Sequence, residues 1–215
     1  MTFSVRLWLM TMFLVFTTTT GTGLALAASN SVQPNEQHWS FNGIFGKFNR
    51  KEVQRGLQVY LEVCSSCHGL EYVAYRNLEE IGYNEEQIKA IASQYEVEDG
   101  PNTVGEMFSR PARPSDYFKS PYANDMEAKM MNNGALPPDL SLIYKARPGG
   151  ADYIYSLLTG YEEDSESHEI PEGLYYNPYF PGGAVAMPQP LYGDDVEYLD
   201  GTEATIEQEA RDVAV

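Results

Sequence analysis

A chain of 215 residues is long enough for one or two domains. With 31 acidic and 14 basic residues it carries a formal charge of -17, which excludes nucleic acid as a partner because the phosphates would be repelled. The only two cysteines, Cys64 and Cys67, sit in one short motif, so no structural disulfide remains once both are modified.

Residues 1–27 read as a secretory signal peptide. Arg6 gives a weakly basic start, Leu7 to Phe16 is apolar except for Thr11, and Ala25-Leu26-Ala27 is a small-residue cleavage site. A retained anchor is the alternative, but the run is short for a membrane span. A mitochondrial transit peptide would carry several arginines, so the expected address is the bacterial periplasm. Residues 28–215 form the mature domain. Ser29 to Gln37 is polar and is expected to be a flexible arm. Trp39, Phe41, Phe45 and Phe48 are expected to pack on the core.

Asn49 is placed to cap a helix, with Glu52 three residues on in a capping-box arrangement. Val53, Leu57, Tyr60, Leu61 and Cys64 then recur on one helical face. Continued helix would put Cys67 and His68 on that face too, at i+3 and i+4 from Cys64. Cys64-Ser65-Ser66-Cys67-His68 is the attachment pattern for c-type haem. Each thiol adds across a haem vinyl group, and the adjacent imidazole reaches the iron from the proximal side. The alternatives are a disulfide, a redox dithiol or half a zinc site. Zinc would need two further ligands, and His38 and His168 are isolated; a redox dithiol would sit near a βαβ pattern, which is not found. His38 is a minor candidate as an axial ligand.

Tyr72, Tyr75 and Arg76 follow the motif closely and are candidate donors to the haem propionates, with packed tyrosines and a surface arginine as the alternative. Asn84 to Gln94 reads as a short amphipathic helix and Asp99-Gly100-Pro101 as a turn. The prolines of residues 110–122 exclude regular helix and predict a rigid loop over the domain. Asn124 to Asn132 reads as a helix whose Met126 and Met130 pack one turn apart, ended by Asn133-Gly134. Asp139 is placed to cap the next turn. Lys145 to Gly150 reads as a loop carrying two cations, and Ala151 to Thr159 as a mostly buried helix closed by Gly160. Residues 161–169 and a second stretch with Asp194, Asp195, Glu197, Asp200, Glu203, Glu207 and Glu209 are strongly acidic. They are either solvated faces or a landing site for a basic protein.

Met187 is the favoured sixth ligand. It lies in a run from Asn177 to Pro190 stiffened by Pro178, Pro181, Pro188 and Pro190, with Gly182 and Gly183 able to let backbone approach a flat ligand. A buried packing methionine is the alternative, and an open iron face would instead suit ligand binding.

Beyond the haem motif, Tyr72-Val73-Ala74-Tyr75-Arg76-Asn77-Leu78, Asp116-Tyr117-Phe118, Asn132-Asn133-Gly134-Ala135-Leu136-Pro137-Pro138-Asp139-Leu140-Ser141, Tyr153 to Tyr161 and Gly173 to Gly182 resemble the cytochrome c1 family over residues 38 to 215. The resemblance implies an all-α cytochrome c-like haem domain with long Pro/Gly-rich loop insertions. It implies one covalent haem c, held by thioethers at Cys64 and Cys67, with His68 and Met187 as axial ligands and Arg147 on a propionate. It implies an electron-transfer subunit of the respiratory cytochrome bc1 complex (ubiquinol–cytochrome c reductase). Such a subunit is no enzyme on its own. It takes one electron from the Rieske iron–sulfur protein and gives it to a basic or tethered c-type cytochrome, beside cytochrome b, on the periplasmic side of the bacterial inner membrane. Two other readings are a free periplasmic monohaem carrier and an open-site haem enzyme or gas sensor. The family ends in a membrane-spanning helix, whereas the chain stops at Ala210 to Val215 in a helical pattern. The expectation is a haem domain whose C-terminal membrane anchor is missing.

Overall fold

A computed structural model describes residues 32–162 and 169–215; the expected signal peptide and residues 163–168 of the acidic run lie outside them. Six α-helices carry the domain: α1 Arg50–Glu62, α2 Glu85–Ala92, α3 Asp125–Met131, α4 Ile143–Ala146, α5 Ala151–Thr159 and α6 Ile206–Ala214. Helix is not the whole of it. Glu96–Asp99 (β1) pairs antiparallel with Phe108–Pro111 (β2), and Tyr175–Tyr176 (β3) with Ala184–Val185 (β4). The all-α expectation is therefore corrected to a helical domain with two small hairpins. Strands this short show no usable alternation in sequence.

Helix α1 begins where expected. Asn49 Oδ1 accepts from the Lys51 amide at 3.1 Å, and Glu52 holds the Asn49 side-chain amide at 3.0 Å rather than its backbone N–H. The helix does not continue through the cysteines. It ends at Glu62, and Cys64–Ser66 tightens into a 3-10 turn. The serines take up carbonyls of the departing helix, Ser65 Oγ on Leu61 O and Ser66 Oγ on Val63 O, both at 2.8 Å.

α1 divides two cores. Tyr60 faces Tyr75, Leu78, Ile88, Val97 and Phe118, where the Tyr75 and Phe118 rings lie 4.1 Å apart. Val59 faces Leu158, Leu191, Val196, Tyr198 and Ala210. Cys64, just past the helix end, packs on both. α6 crosses α1 at Gly56, where a Cβ would collide with the Asp212 carbonyl. The crossing is tied by Arg55, which donates to Asp212 at 2.7 and 2.8 Å and to Asp200 at 2.9 Å. The side chain of Asp212 has no exposure, so this pair works in low dielectric.

Several surface expectations are overturned. The arm before α1 is bound: the Asn35 amide donates to buried Ser156 Oγ, the Gln37 amide and Trp39 Nε1 both donate to Asp152 Oδ1, and the Val32 amide donates to Pro178 O. Arg211 lies over the Trp39 ring at 4.9 Å and donates to the His38 carbonyl. Of the aromatic run, Trp39 is buried but Phe45 is 92% exposed, because Phe41 stacks on Phe48 and leaves Phe45 at the tip of the turn. Met126 and Met130 do not pack. Only Ala128 of α3 is buried, and both methionines lie on the solvent side. Lys145 and Ala146 end the short α4 rather than forming loop. α2 carries the full Asn84–Gln87 capping box, with both contacts at 2.9 Å, and Asn133 and Gly134 take φ of 52° and 89° at the end of α3.

Candidate functional site

The turn after α1 points both backbone and ring groups of its last residues into the chain's middle. The Cys64 carbonyl accepts from the Cys67 amide at 3.1 Å and from the His68 amide at 2.9 Å. Tyr60, one turn back in α1, donates its hydroxyl to the His68 carbonyl at 3.1 Å. The segment around Pro138 closes over this turn. Leu140 N donates to Gly69 O at 2.9 Å, Asp139 Oδ2 accepts from the Glu71 amide at 2.7 Å, and Ser141 Oγ accepts from the Tyr72 amide at 3.1 Å. Asp139 thus joins two loops as well as bracing its own turn through the Ser141 amide.

His68 Nδ1 lies 2.7 Å from the Pro138 carbonyl. A carbonyl only accepts, so Nδ1 carries the proton and Nε2 of the neutral ring keeps its lone pair. Burial lowers the imidazole's pKa, opposed more weakly by Pro138 and by Asp139, and holds the ring in the ligating form. Burial pushes the Cys64 thiol up to about 12, so it remains a thiol rather than a bare nucleophile; both cysteines are free.

Met187 is positioned by the second hairpin. β3 and β4 pair Tyr175 with Val185 and Tyr176 with Ala184, and Asn177 N donates to Gly183 O at 2.9 Å. Fully buried Asn177 fastens the hairpin to α5 through Leu157 O at 2.8 Å. Gly182 and Gly183 have φ of 87° and 75°, and a Cβ on Gly182 would meet nothing. Both glycines meet the turn's need for positive φ, and the open side of Gly182 is compatible with close approach of a flat ligand. Two residues past β4, Met187 is half-buried and packs on the core that also receives Cys64.

The second expected contact has its own geometry. The Arg147 guanidinium lies 6.0 Å from the Tyr153 ring centroid, and the buried Tyr153 hydroxyl has no hydrogen-bond partner among the described residues. A cation beside an orphaned donor suits a carboxylate. Cys64, Cys67 and the lone pair of His68 on the turn, Met187 on the shared core, and Arg147 with Tyr153 suit a haem with its propionates. Tyr75 does not join them. It is 1% exposed within the first core, while Arg76 donates to Ser115 O at 3.3 Å and covers the Tyr117 ring. His38 lies exposed on the bound arm.

The second acidic stretch is only partly surface. Glu209 is buried, and Asp200 is engaged by Arg55. Asp194, Asp195, Glu197 and Glu203, with Glu62, line an open hollow of about 420 Å³.

The sequence profile of the Cytochrome C1 family matches residues 39–215. The chain belongs to the cytochrome c1 family. It is 47% identical to a cytochrome c1 of Rhodospirillum rubrum, over 89% of this chain and 79% of that protein. It is 49% identical to a cytochrome b/c1 of Bradyrhizobium diazoefficiens, over 88% of this chain but 31% of that longer protein. It is 48% identical to a mitochondrial cytochrome c1 haem protein of Arabidopsis thaliana, over 86% of this chain and 61% of its relative. The chain therefore spans between a third and four fifths of these relatives. Cytochrome c1 proteins carry one covalently attached haem c, which the donor set around Cys64 and His68 fits.

The groups that sequence reasoning missed are those that hold the ligands in place: Tyr60, Pro138, Asn177, Tyr161 and Tyr153. Asn177 had a local signal, since its Oδ1 accepts from the Tyr179 amide two residues on, the turn habit of asparagine. Pro138 and Tyr161 act across long sequence separations, and Tyr60 and Tyr153 read as packed aromatics whose hydroxyl roles left no pattern.

Proposed function

We propose that the chain is the haem-bearing electron-transfer subunit of a cytochrome bc1 complex. It takes one electron from a Rieske iron–sulfur subunit and passes it to a c-type cytochrome on the periplasmic side of the bacterial inner membrane. Cys64 and Cys67 would hold the haem through thioethers, His68 Nε2 and Met187 Sδ would ligate its iron, and Arg147 with Tyr153 would meet a propionate. The haem supplies a one-electron iron couple whose potential a methionine ligand raises. The chain's part is to orient and exclude. Pro138 fixes the His68 tautomer, the two cores withhold water, and no residue is asked to move a proton or attack a bond.

The observation that carries this reading is that Cys64 and Met187 pack against one apolar core, while His68, four residues after Cys64, has its Nδ1 already occupied. Membrane attachment through a C-terminal helix beyond Val215, as in the family's resemblance, and export by residues 1–27 belong to the same proposal. The test is quinol-driven reduction in membranes bearing the full-length chain with cytochrome b. Reduction of the chain should require the Rieske subunit. Equal reduction in membranes lacking that subunit would contradict the assigned electron source.

A further inference from the structure

We propose that Tyr161 is a positioning residue for Met187, setting the height of the thioether through the backbone carbonyl. This rests on Met187 as the sixth ligand and adds the group that holds it there. Its hydroxyl donates to the Met187 carbonyl at 3.0 Å. That carbonyl belongs to a residue with little freedom of its own. Met187 precedes Pro188, which restricts it to extended backbone, and follows the β3–β4 hairpin.

Tyr161 is well placed to act as a fixed point. It follows α5 directly after Gly160, where a Cβ would collide with the Tyr179 ring and the Ser156 carbonyl. The chain is therefore pressed against the ligand hairpin at this step. Asn177 ties the other arm of that hairpin to the same helix at Leu157. One bond to α5 and one from the residue two past its end thus hold the two arms, one before the turn and one at Met187. A hollow of about 350 Å³ is lined by Tyr161, Tyr175, Tyr192, Gln189 and Pro188, the residue after Met187. With space next to this segment, loss of the donor would leave the Met187 backbone freer to shift, and its sulfur with it.

The test compares the haem-loaded chain with Tyr161→Phe, Tyr192→Phe and Met187→Leu. Tyr161→Phe keeps the ring and its packing and removes only the donor. Loss of one hydrogen bond should raise the carbon monoxide affinity of the ferrous protein about fivefold and weaken the far-red sulfur-to-iron charge-transfer band of the ferric protein. Tyr192→Phe, an exposed phenol of the same hollow, should match the parent. If Tyr161→Phe matches the parent in both readouts while Met187→Leu opens the iron, Tyr161 only packs and the proposal fails with the ligand assignment intact. If Met187→Leu also matches the parent, the ligand assignment fails and this inference falls with it.

Discussion

Single atoms decide what the His68 ring can do. With Nδ1 committed to Pro138, Nε2 is the nitrogen left with a free lone pair, and the bond also fixes the plane of the ring. Arg147 should act through charge rather than structure. It is half-buried, its partner is the Tyr153 ring, and no ion pair joins it among the described residues. Removing a cation near a propionate favours the oxidised iron. Arg147→Ala should therefore lower the reduction potential by about 40 mV, the equivalent of roughly 1 kcal/mol for one electron. A potentiometric titration checks this, and an unmoved midpoint would remove Arg147 from the site. The proposed ligands could be named from the sequence because their signals are local: two thiols and an imidazole within five positions, and a methionine between prolines. The tautomer was not, since Pro138 meets His68 only after the chain has run through α2, both strands of the first hairpin and α3.

Elements carry the next layer, and the α1–α6 crossing is the critical one. Gly56 sits against the Asp212 carbonyl, so Gly56→Ala must push the helices apart. Overpacking of this kind costs about 2 kcal/mol, read as a lower denaturant midpoint with an unchanged haem spectrum. Glu209 gives the crossing a pH dependence. Its carboxyl is buried, accepts a bond from the Asp195 amide at 3.0 Å, and leaves Oε2 without a partner among the described residues. Burial, reinforced by the Asp195 carboxylate, raises its pKa from 4.5 to about 7. In the unfolded chain the proton leaves near the ordinary value, so between the two values the folded state binds more protons. This contribution is full at low pH and is lost as pH rises through about 7. Glu209→Gln should flatten the fall in melting temperature over that window; an unchanged slope would mean that another group causes it. The helices themselves were largely readable, because caps such as Asn84–Gln87 act within one turn. Periodicity misled at α3, where the Met126–Met130 spacing is helical but the helix lies on the surface and buries only Ala128. The position of α6 was invisible, since its acidic Glu209 and Asp212 looked like surface and are buried instead.

At the scale of the whole molecule, charge and binding address meet. The formal charge of -17 should steer a basic cytochrome toward the protein and raise the encounter rate more than the affinity. Electron transfer to such a partner should slow steeply as added salt shortens the screening length, and a rate indifferent to ionic strength would exclude acidic docking. The bound N-terminal arm adds a long-range brace, since Val32 reaches Pro178 and Asn35 reaches Tyr179 beside the ligand hairpin. Its polar composition suggested a free tail; the partners it finds, Ser156 and Asp152, lie on α5 far along the chain. The proposed relay requires a closed iron held by His68 and Met187. The most direct test is the optical spectrum of the reduced, haem-loaded chain before and after carbon monoxide. A low-spin spectrum that the gas leaves unchanged in the parent, and that shifts in Met187→Leu, is the predicted result. A large shift in the unaltered protein would show an open sixth site and contradict the relay.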